Sequence, residues 1–254
     1  MQSKDSNEVQ AIDRAFSIVE TLTKLDGAGV SELSRSVNLP KSTVYNHLST
    51  LVAKGYVVKD ESEYRSGLKF LQIGEQVRKQ HALYQVGRPQ VDKTASKTGE
   101  ISGLMTEEHG RGVFIYRGRG AEAARIDTRI GDRVPLHSTA LGKVILAFLP
   151  EYRREEIIDR HGLKSMTENT ITTRDRLFNE LEEIRKKQVA FDDEERLNGL
   201  RSVAAPILTA NQEIIGSISI AGPTHRMQGS RFFEEFPETI LGVANVIELN
   251  IQHA

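Results

Sequence analysis

The chain has 254 residues, of which 38% are hydrophobic and 27% are charged, with a formal net charge of −1 at pH 7. This length is enough for two hydrophobic cores, and the composition is typical of a globular protein. The absence of cysteine excludes disulfides, thiolate metal sites, iron–sulfur clusters and a cysteine nucleophile. No apolar run approaches the ~20 residues that span a bilayer, and the first ten residues carry no apolar secretory segment, so we expect a cytoplasmic protein.

The N-terminal part of the chain begins with two predicted helices. Apolar residues at helical spacing predict a first helix over about residues 9–25, with Ile12 and Phe16 among its inward positions. The glycines of "DGAGV" are expected to end it. Ser31 is then expected to cap a short second helix over residues 32–37.

A third helix follows the tight turn "NLP", and Pro40 is placed as its first residue, where a missing N–H costs nothing. Its inward residues lie at positions i, i+4, i+7 and i+8, and they are Val44, Leu48, Leu51 and Val52. Gly55 is expected to end the helix in the left-handed conformation. The stretch "YVVKDESEYRSG", residues 56–67, then predicts a β-hairpin. This order of elements is that of a winged helix-turn-helix.

The free face of the third helix carries short hydrogen-bonding side chains and no acid, which favours DNA binding. An α-helix fits the major groove, where Asn can pair with adenine and Ser or Thr with several bases, while Lys and Arg hold phosphate. The candidate DNA-binding residues are Lys41, Ser42, Thr43, Tyr45, Asn46 and His47 on the helix, and Lys59 and Arg65 on the hairpin. The alternative is a winged helix that docks another protein.

Residues 68–84 predict a connecting helix, and "GRPQ" at residues 87–90 is expected to mark the next boundary. Beyond it, helices are predicted at about 89–98, from 139, at 151–161, 174–188 and 231–251. Strands are predicted at about 101–108, 112–118, 123–128, 189–193, 202–208 and 213–222. Because helices and strands do not alternate strictly, we expect an α+β domain on an antiparallel sheet. The predicted domains are 1–67 (DNA binding), 68–88 (linker helix) and 89–254 (effector binding and oligomerisation).

The second domain carries no pattern that predicts catalysis or a cofactor. It has no Walker loop and no nucleophile elbow, and its histidines lack a metal-ligand spacing. It does place Ser138 and Thr139 at a helix N-terminus, which attracts anions, and Ser217 and Ser219 on one face of a strand. Asp192, Arg201 and Ser202 belong to a predicted loop that could fold over a ligand. These groups favour a pocket for a small polar molecule, unless the two strand serines simply face solvent.

Three stretches together resemble the signature stretches of the IclR family of transcriptional regulators. They are "LPKSTVYNHLSTLVAKGYV" (39–57), "PLHSTALGKVILAFLP" (135–150), and "FDDEERLNGLRSVAAPIL" followed by "IIGSISIAGP" (191–223). The resemblance implies a winged helix followed by a GAF-like effector domain. It also implies a dimer or a dimer of dimers. Because one winged helix buries too little surface for strong binding and a two-fold dimer doubles it, we expect a pseudo-palindromic operator of double-stranded DNA. A small organic, often acidic, effector would control nearby genes.

The same resemblance implies which residues contact the effector. The amides of Ala140 and Leu141 would receive its carboxylate, and Leu141 would narrow the mouth where a smaller residue is usual. Ser202 stands where the family often has cysteine, and Ala221 where some members have serine. The candidate effector-binding residues are Ile126, Ala140, Leu141, Asp192, Leu200, Ser202, Ser219 and Ala221.

Overall fold

The computed structural model describes residues 9–126 and 128–253, and the chain divides into two compact units between Val77 and Arg78. The N-terminal unit contains α1 (Gln10–Leu25), β1 (Ala28–Gly29), α2 (Val30–Ser36), α3 (Lys41–Ala53), β2 (Val57–Asp60) and β3 (Glu63–Ser66). Its strands form an antiparallel sheet in the order β1-β3-β2. The predicted winged helix-turn-helix is therefore confirmed. The helix that follows, α4 (Lys69–Lys79), runs across the division between the units.

The core of this unit lies between the three helices and the hairpin. Ile18 and Leu22 of α1 pack with Leu33 of α2 and with Val44 and Leu48 of α3, and all five are buried. Leu51 and Val52 are half-buried at the edge of this core. Gly55 follows α3 with a φ of 78°, which confirms the predicted left-handed stop.

Three details of the predicted helices are wrong. Ile12 and Phe16 are 56% and 59% exposed, because only the C-terminal half of α1 reaches the core. Helix α2 begins at Val30, and Ser31 makes no capping bond. Pro40 is the residue before α3 and has an extended ψ of 143°, so the helix begins one residue later than predicted.

The C-terminal unit is a six-stranded antiparallel sheet with helices on both faces. Its elements in chain order are α5 (Ala82–Thr98), β4 (Ile101–Glu108), β5 (Arg111–Arg119), β6 (Arg133–Val134), a 3₁₀ turn (Leu136–Ser138), α6 (Ala140–Phe148), α7 (Glu151–His161), α8 (Arg174–Lys187), β7 (Ala190–Asp193), β8 (Leu200–Leu208), β9 (Ile214–Pro223), a π-helical turn (Arg231–Glu235) and α9 (Phe236–Gln252). The strand order is β6-β5-β4-β9-β8-β7. This confirms the predicted α+β fold class.

Strand alternation gives each face of the sheet its own core. Ile218 and Ile220 of β9 pack in the core that includes residues of α5 and α9. Met105, Phe114 and Ala204 pack in the other core, with residues of α6, α7 and α8. Ser217 and Ser219 therefore point towards the α6 side, as the period of two predicts.

The predicted connecting helix at 68–84 and the predicted boundary at 87–90 are both wrong. Two helices, α4 and α5, stand where one was expected, and "GRPQ" with Pro89 lies inside α5. Packing overrides the local signal here, since Leu83, Gly87 and Val91 of α5 are buried, and a Cβ at Gly87 would lie 2.6 Å from the Leu104 side chain.

Two strand predictions next to β5 also need correction. The predicted strand at 123–128 is absent from the residues described there, and Asp127 of that stretch lies outside them. The edge partner of β5 is instead β6, which pairs through Gly112↔Val134 and Val113↔Arg133. No helix within the described part of the chain is long and apolar enough to cross a membrane.

Candidate functional site

The free face of α3 has the character that the sequence predicted. Val44 and Leu48 turn inward, while Lys41, Ser42, Tyr45 and Asn46 are exposed, and Thr43 and His47 are half-buried. The Asn46 side chain makes no hydrogen bond to any described residue, whereas its backbone oxygen accepts one from Thr50 Oγ1 at 3.1 Å. The Asn46 amide is therefore available to an external partner.

The hairpin places Lys59 and Arg65 on adjacent antiparallel strands, both exposed. Lys59 Nζ lies 5.8 Å from the centre of the Tyr64 ring, and Arg65 forms a 3.4 Å ion pair with Glu63. Sequence reasoning did not weigh the acids at the hairpin tip, which are Asp60, Glu61 and Glu63. They make the tip a poorer phosphate ligand than its two cations alone suggest.

A pocket opens in the C-terminal unit between the sheet, the N-terminus of α6 and the segment that joins β7 to β8. It encloses about 460 Å³ of empty space, including the part that is open to solvent. Seven of the eight predicted effector residues line it: Ile126, Leu141, Asp192, Leu200, Ser202, Ser219 and Ala221. Ala140 is buried behind the pocket and does not line it.

The first turn of α6 borders the pocket, which Thr139 and Leu141 line. Thr139 is the N-cap, and its Oγ1 accepts from the Gly142 N–H at 2.9 Å. The N–H groups of Ala140 and Leu141 precede the first intrahelical bond. Gly142 lets this turn approach the preceding 3₁₀ turn, since a Cβ there would lie 2.2 Å from the Leu136 carbonyl oxygen.

The two strand serines lie on one face of β9 and are buried, so the alternative that they face solvent is wrong. Ser217 donates to the Leu141 carbonyl at 3.0 Å and ties β9 to α6. Ser219 lines the pocket beside Ala221 and lies in register with Gly103 of β4.

Asp192 is a buried carboxyl group in the wall of the pocket. Its Oδ1 accepts from the Glu195 N–H at 2.8 Å, and its Oδ2 lies 3.4 Å from Ser202 Oγ. Burial, together with repulsion from the Glu195 carboxylate, raises the pKa of Asp192 to about 7. The group can therefore donate or accept a hydrogen bond near neutral pH.

Sequence reasoning missed five polar or aromatic groups of this region. Arg117, Phe114, Thr128 and Arg196 line the pocket. Lys143 lies behind it, fully buried, with Nζ 2.8 Å from Glu180 and 2.5 Å from Glu195. Burial is the largest influence and lowers the pKa of Lys143, but attraction to Glu195 and Glu180 outweighs it, so that pKa is raised.

Of these five residues, Lys143 is the one that a feature of the sequence indicates. Lys143 belongs to a Gly-Lys pair inside an otherwise apolar helix, and a lysine there needs a buried counter-charge. Arg117 and Arg196 gave no such signal, because they reach the pocket from a strand and a loop that are far apart in the chain. Among the described residues no cluster of His, Asp or Glu could hold a metal ion.

Comparison with known proteins gives matches over nearly the whole chain. Residues 11–61 match the IclR helix-turn-helix domain family, and residues 75–249 match the Bacterial transcriptional regulator IclR C-terminal family. A probable HTH-type transcriptional regulator, ArcR, from Halobacterium salinarum is 31% identical, covering 98% of this chain and 97% of its own length.

Two solved structures share the architecture. The Thermotoga maritima IclR is 30% identical with a TM-score of 0.79, covering 95% of this chain and 97% of its own. An IclR homolog from Microbacterium hydrocarbonoxydans, complexed with 4-hydroxybenzoate, is 20% identical with a TM-score of 0.81. It covers 96% of this chain and 100% of its own.

Proposed function

The chain belongs to the IclR family of transcriptional regulators, and from that premise we propose that a small carboxylate bound in its pocket controls its affinity for an operator. Members of this family are DNA-binding regulators with an effector domain and are not enzymes. What is proposed for this chain is the effector class, the residues that contact it, and the residues that read DNA.

The observation that carries the effector class is the polar set around the pocket. The N-terminus of α6 brings backbone N–H groups and the positive end of a helix dipole, which favour an anion. Buried Ser202 and Ser219 offer hydroxyls, and the neutral carboxyl group of Asp192 can donate a hydrogen bond to an oxygen atom of the ligand. The 4-hydroxybenzoate of the Microbacterium homolog is itself a carboxylate.

On the DNA side, we assign base reading to Ser42, Thr43 and Asn46 and phosphate contacts to Lys41 and Lys59. We include Tyr45, His47 and Arg65 in the same DNA-binding surface. The support is their common placement on the exposed side of α3 and on the hairpin, with no acid on the helix face.

We further propose a homodimer, or a dimer of dimers, on a pseudo-palindromic operator. A single winged helix contacts few bases, and a two-fold dimer doubles the contact. The exposed apolar side chains of Ile12 and Phe16 on α1 offer a surface that a second copy could cover. Since the partner is chromosomal DNA, we place the protein in the cytoplasm.

The direct test of the effector class is a thermal-shift screen of small carboxylates on the full chain. A ligand at 100 times its dissociation constant adds about 2.7 kcal/mol to the free energy of unfolding, which is readily measured. We expect carboxylates to raise the melting temperature and their methyl esters not to. If neutral apolar ligands raise it and carboxylates do not, the α6 amides are not the recognition element.

A further inference from the structure

Two arginines share the pocket with the α6 N-terminus. Arg117 reaches it from β5, and Arg196 from the segment between β7 and β8. Their guanidinium carbons lie 5.9 Å and 5.7 Å from the centre of the same Phe114 ring. Both charges are therefore held beside one aromatic side chain in the pocket wall.

Neither guanidinium has a carboxylate within ion-pair distance anywhere in residues 9–126 or 128–253. The Arg117 guanidinium donates only to the Thr128 carbonyl oxygen, and the Arg196 guanidinium forms no hydrogen bond with the described residues, whereas the Arg196 backbone N–H donates to Asp192. The nearest attractive charges are Asp132, which acts on both arginines, and Asp192, which acts on Arg196. The positive charges of Arg117 and Arg196 are thus only partly neutralised by the described residues.

The surroundings make this arrangement costly without a ligand. Both side chains are partly removed from water, and burial is the main cause that lowers the pKa of Arg117 and of Arg196. Arg119 and Arg196 both repel Arg117. A bound anion would relieve both effects, because it adds to the partial counter-charge of Asp132 and Asp192.

We propose that Arg117 and Arg196 form a second anion-binding element of the pocket, so that the preferred effector is a compact dianion, namely a dicarboxylate. One negative group would lie at the α6 N-terminus and the other between the two guanidiniums, with the Phe114 ring beside it. This inference rests on the proposed effector function and narrows it from a carboxylate to a doubly charged acid.

The test is isothermal titration calorimetry on the full chain at constant ionic strength. The probes are malonate, succinate and glutarate, each against its half-amide, which has the same shape and one charge fewer. We expect at least one dianion to bind about tenfold tighter than its monoanionic partner.

Four variants assign that preference to the arginines. Arg117→Gln and Arg196→Gln should each reduce the dianion-to-monoanion ratio at least about fivefold, whereas the two Arg→Lys variants should retain part of it because they keep the charge. Arg160→Gln is the control, since Arg160 is exposed on α7, does not line the pocket and is not among the charges that act on Arg117 or Arg196.

The outcomes separate this inference from the function on which it rests. If monocarboxylates bind as tightly as dianions, or if the Gln variants leave the ratio unchanged, the second anion site is wrong and the carboxylate pocket stands. If neither monoanions nor dianions bind, both are wrong. A preference that is lost in the Arg117→Gln and Arg196→Gln variants and kept in Arg160→Gln supports the arginine site.

Discussion

Asp192 shows how one buried residue can make the stability of the chain depend on pH. Its pKa is about 7 in the folded chain and 3.8 when unperturbed. The unfolded chain therefore releases this proton at lower pH than the folded chain does. Stability contributed by the neutral form is present below about pH 4 and is lost as the pH rises to about 7.

Asp192→Asn should remove this dependence, because Asn is neutral and can keep the contacts to the Glu195 N–H and to Ser202. Three pKa units correspond to about 4 kcal/mol. We expect a gain in unfolding free energy of up to that amount at pH 8 and a smaller gain at pH 5, measured by urea denaturation. Asp193→Asn is the neighbouring exposed control. An equal effect of Asp192→Asn at both pH values would contradict the shifted titration.

Asn46 is the residue on α3 that we expect to read a base. Asn46→Ala should cost about 1–3 kcal/mol of operator binding and relax the preference at one base position. Lys59→Ala should weaken specific and random DNA alike and reduce the salt slope by about 1. Binding to both DNAs over a range of salt distinguishes the two roles. Equal losses on operator and random DNA for Asn46→Ala would rule out base reading.

At the scale of elements, Lys143 joins helix α6 to the segment that borders the pocket. Its Nζ holds Glu195, whose N–H in turn binds Asp192, and it also reaches Glu180 on α8. Three elements around the pocket are thus fixed by one buried cation.

Lys143→Met should destabilise the chain by about 3–5 kcal/mol, because it leaves Glu195 buried without a counter-charge. Adding Glu195→Gln should recover part of that loss. Lys187→Met is a suitable control, since Lys187 is exposed and water screens its ion pair with Glu183. Chemical denaturation of the variants measures the differences. A loss for Lys143→Met as small as that for the control would show that the buried pair does not hold the segment.

The elements that could be predicted from sequence are those whose local pattern agrees with their packing. Helix α7, the hairpin and the alternating serines of β9 are of this kind. Where tertiary packing overrides a local signal, prediction failed: Pro89 lies inside α5 because neighbouring residues are buried against the sheet. On α1, the apolar residues around Phe16 recur at helical spacing, but they are exposed and do not pack in the core of the described chain.

The residues that line the pocket also fall into those that the sequence singled out and those that it did not. Ser219 and Leu141 belong to the signature stretches, and both line the pocket. Arg117 and Arg196 were not, because their meeting depends on how a strand and a loop approach one ring. No periodicity or spacing along the chain encodes that approach.

At the scale of the whole molecule, the proposed dimer can be tested through α1. Phe16→Glu places a charge on the exposed apolar surface, so it should weaken self-association without unfolding the core. Light scattering should show a smaller species, and affinity should fall for a two-half-site operator more than for a single half-site. Glu20→Gln, exposed on the same helix, is the control. A wild-type monomer whose footprint covers one half-site at saturation would contradict the dimer.

The central claim is that a carboxylate in the pocket changes operator affinity, and fluorescence anisotropy on the chain's own upstream DNA measures it directly. We expect at least one small carboxylate to change the operator Kd by about 5- to 150-fold, the usual range of allosteric coupling. Ser219→Ala should raise the carboxylate concentration required by roughly 2- to 10-fold and leave ligand-free DNA affinity unchanged. Operator affinity that no carboxylate alters, in a chain that binds the DNA specifically, would contradict the account.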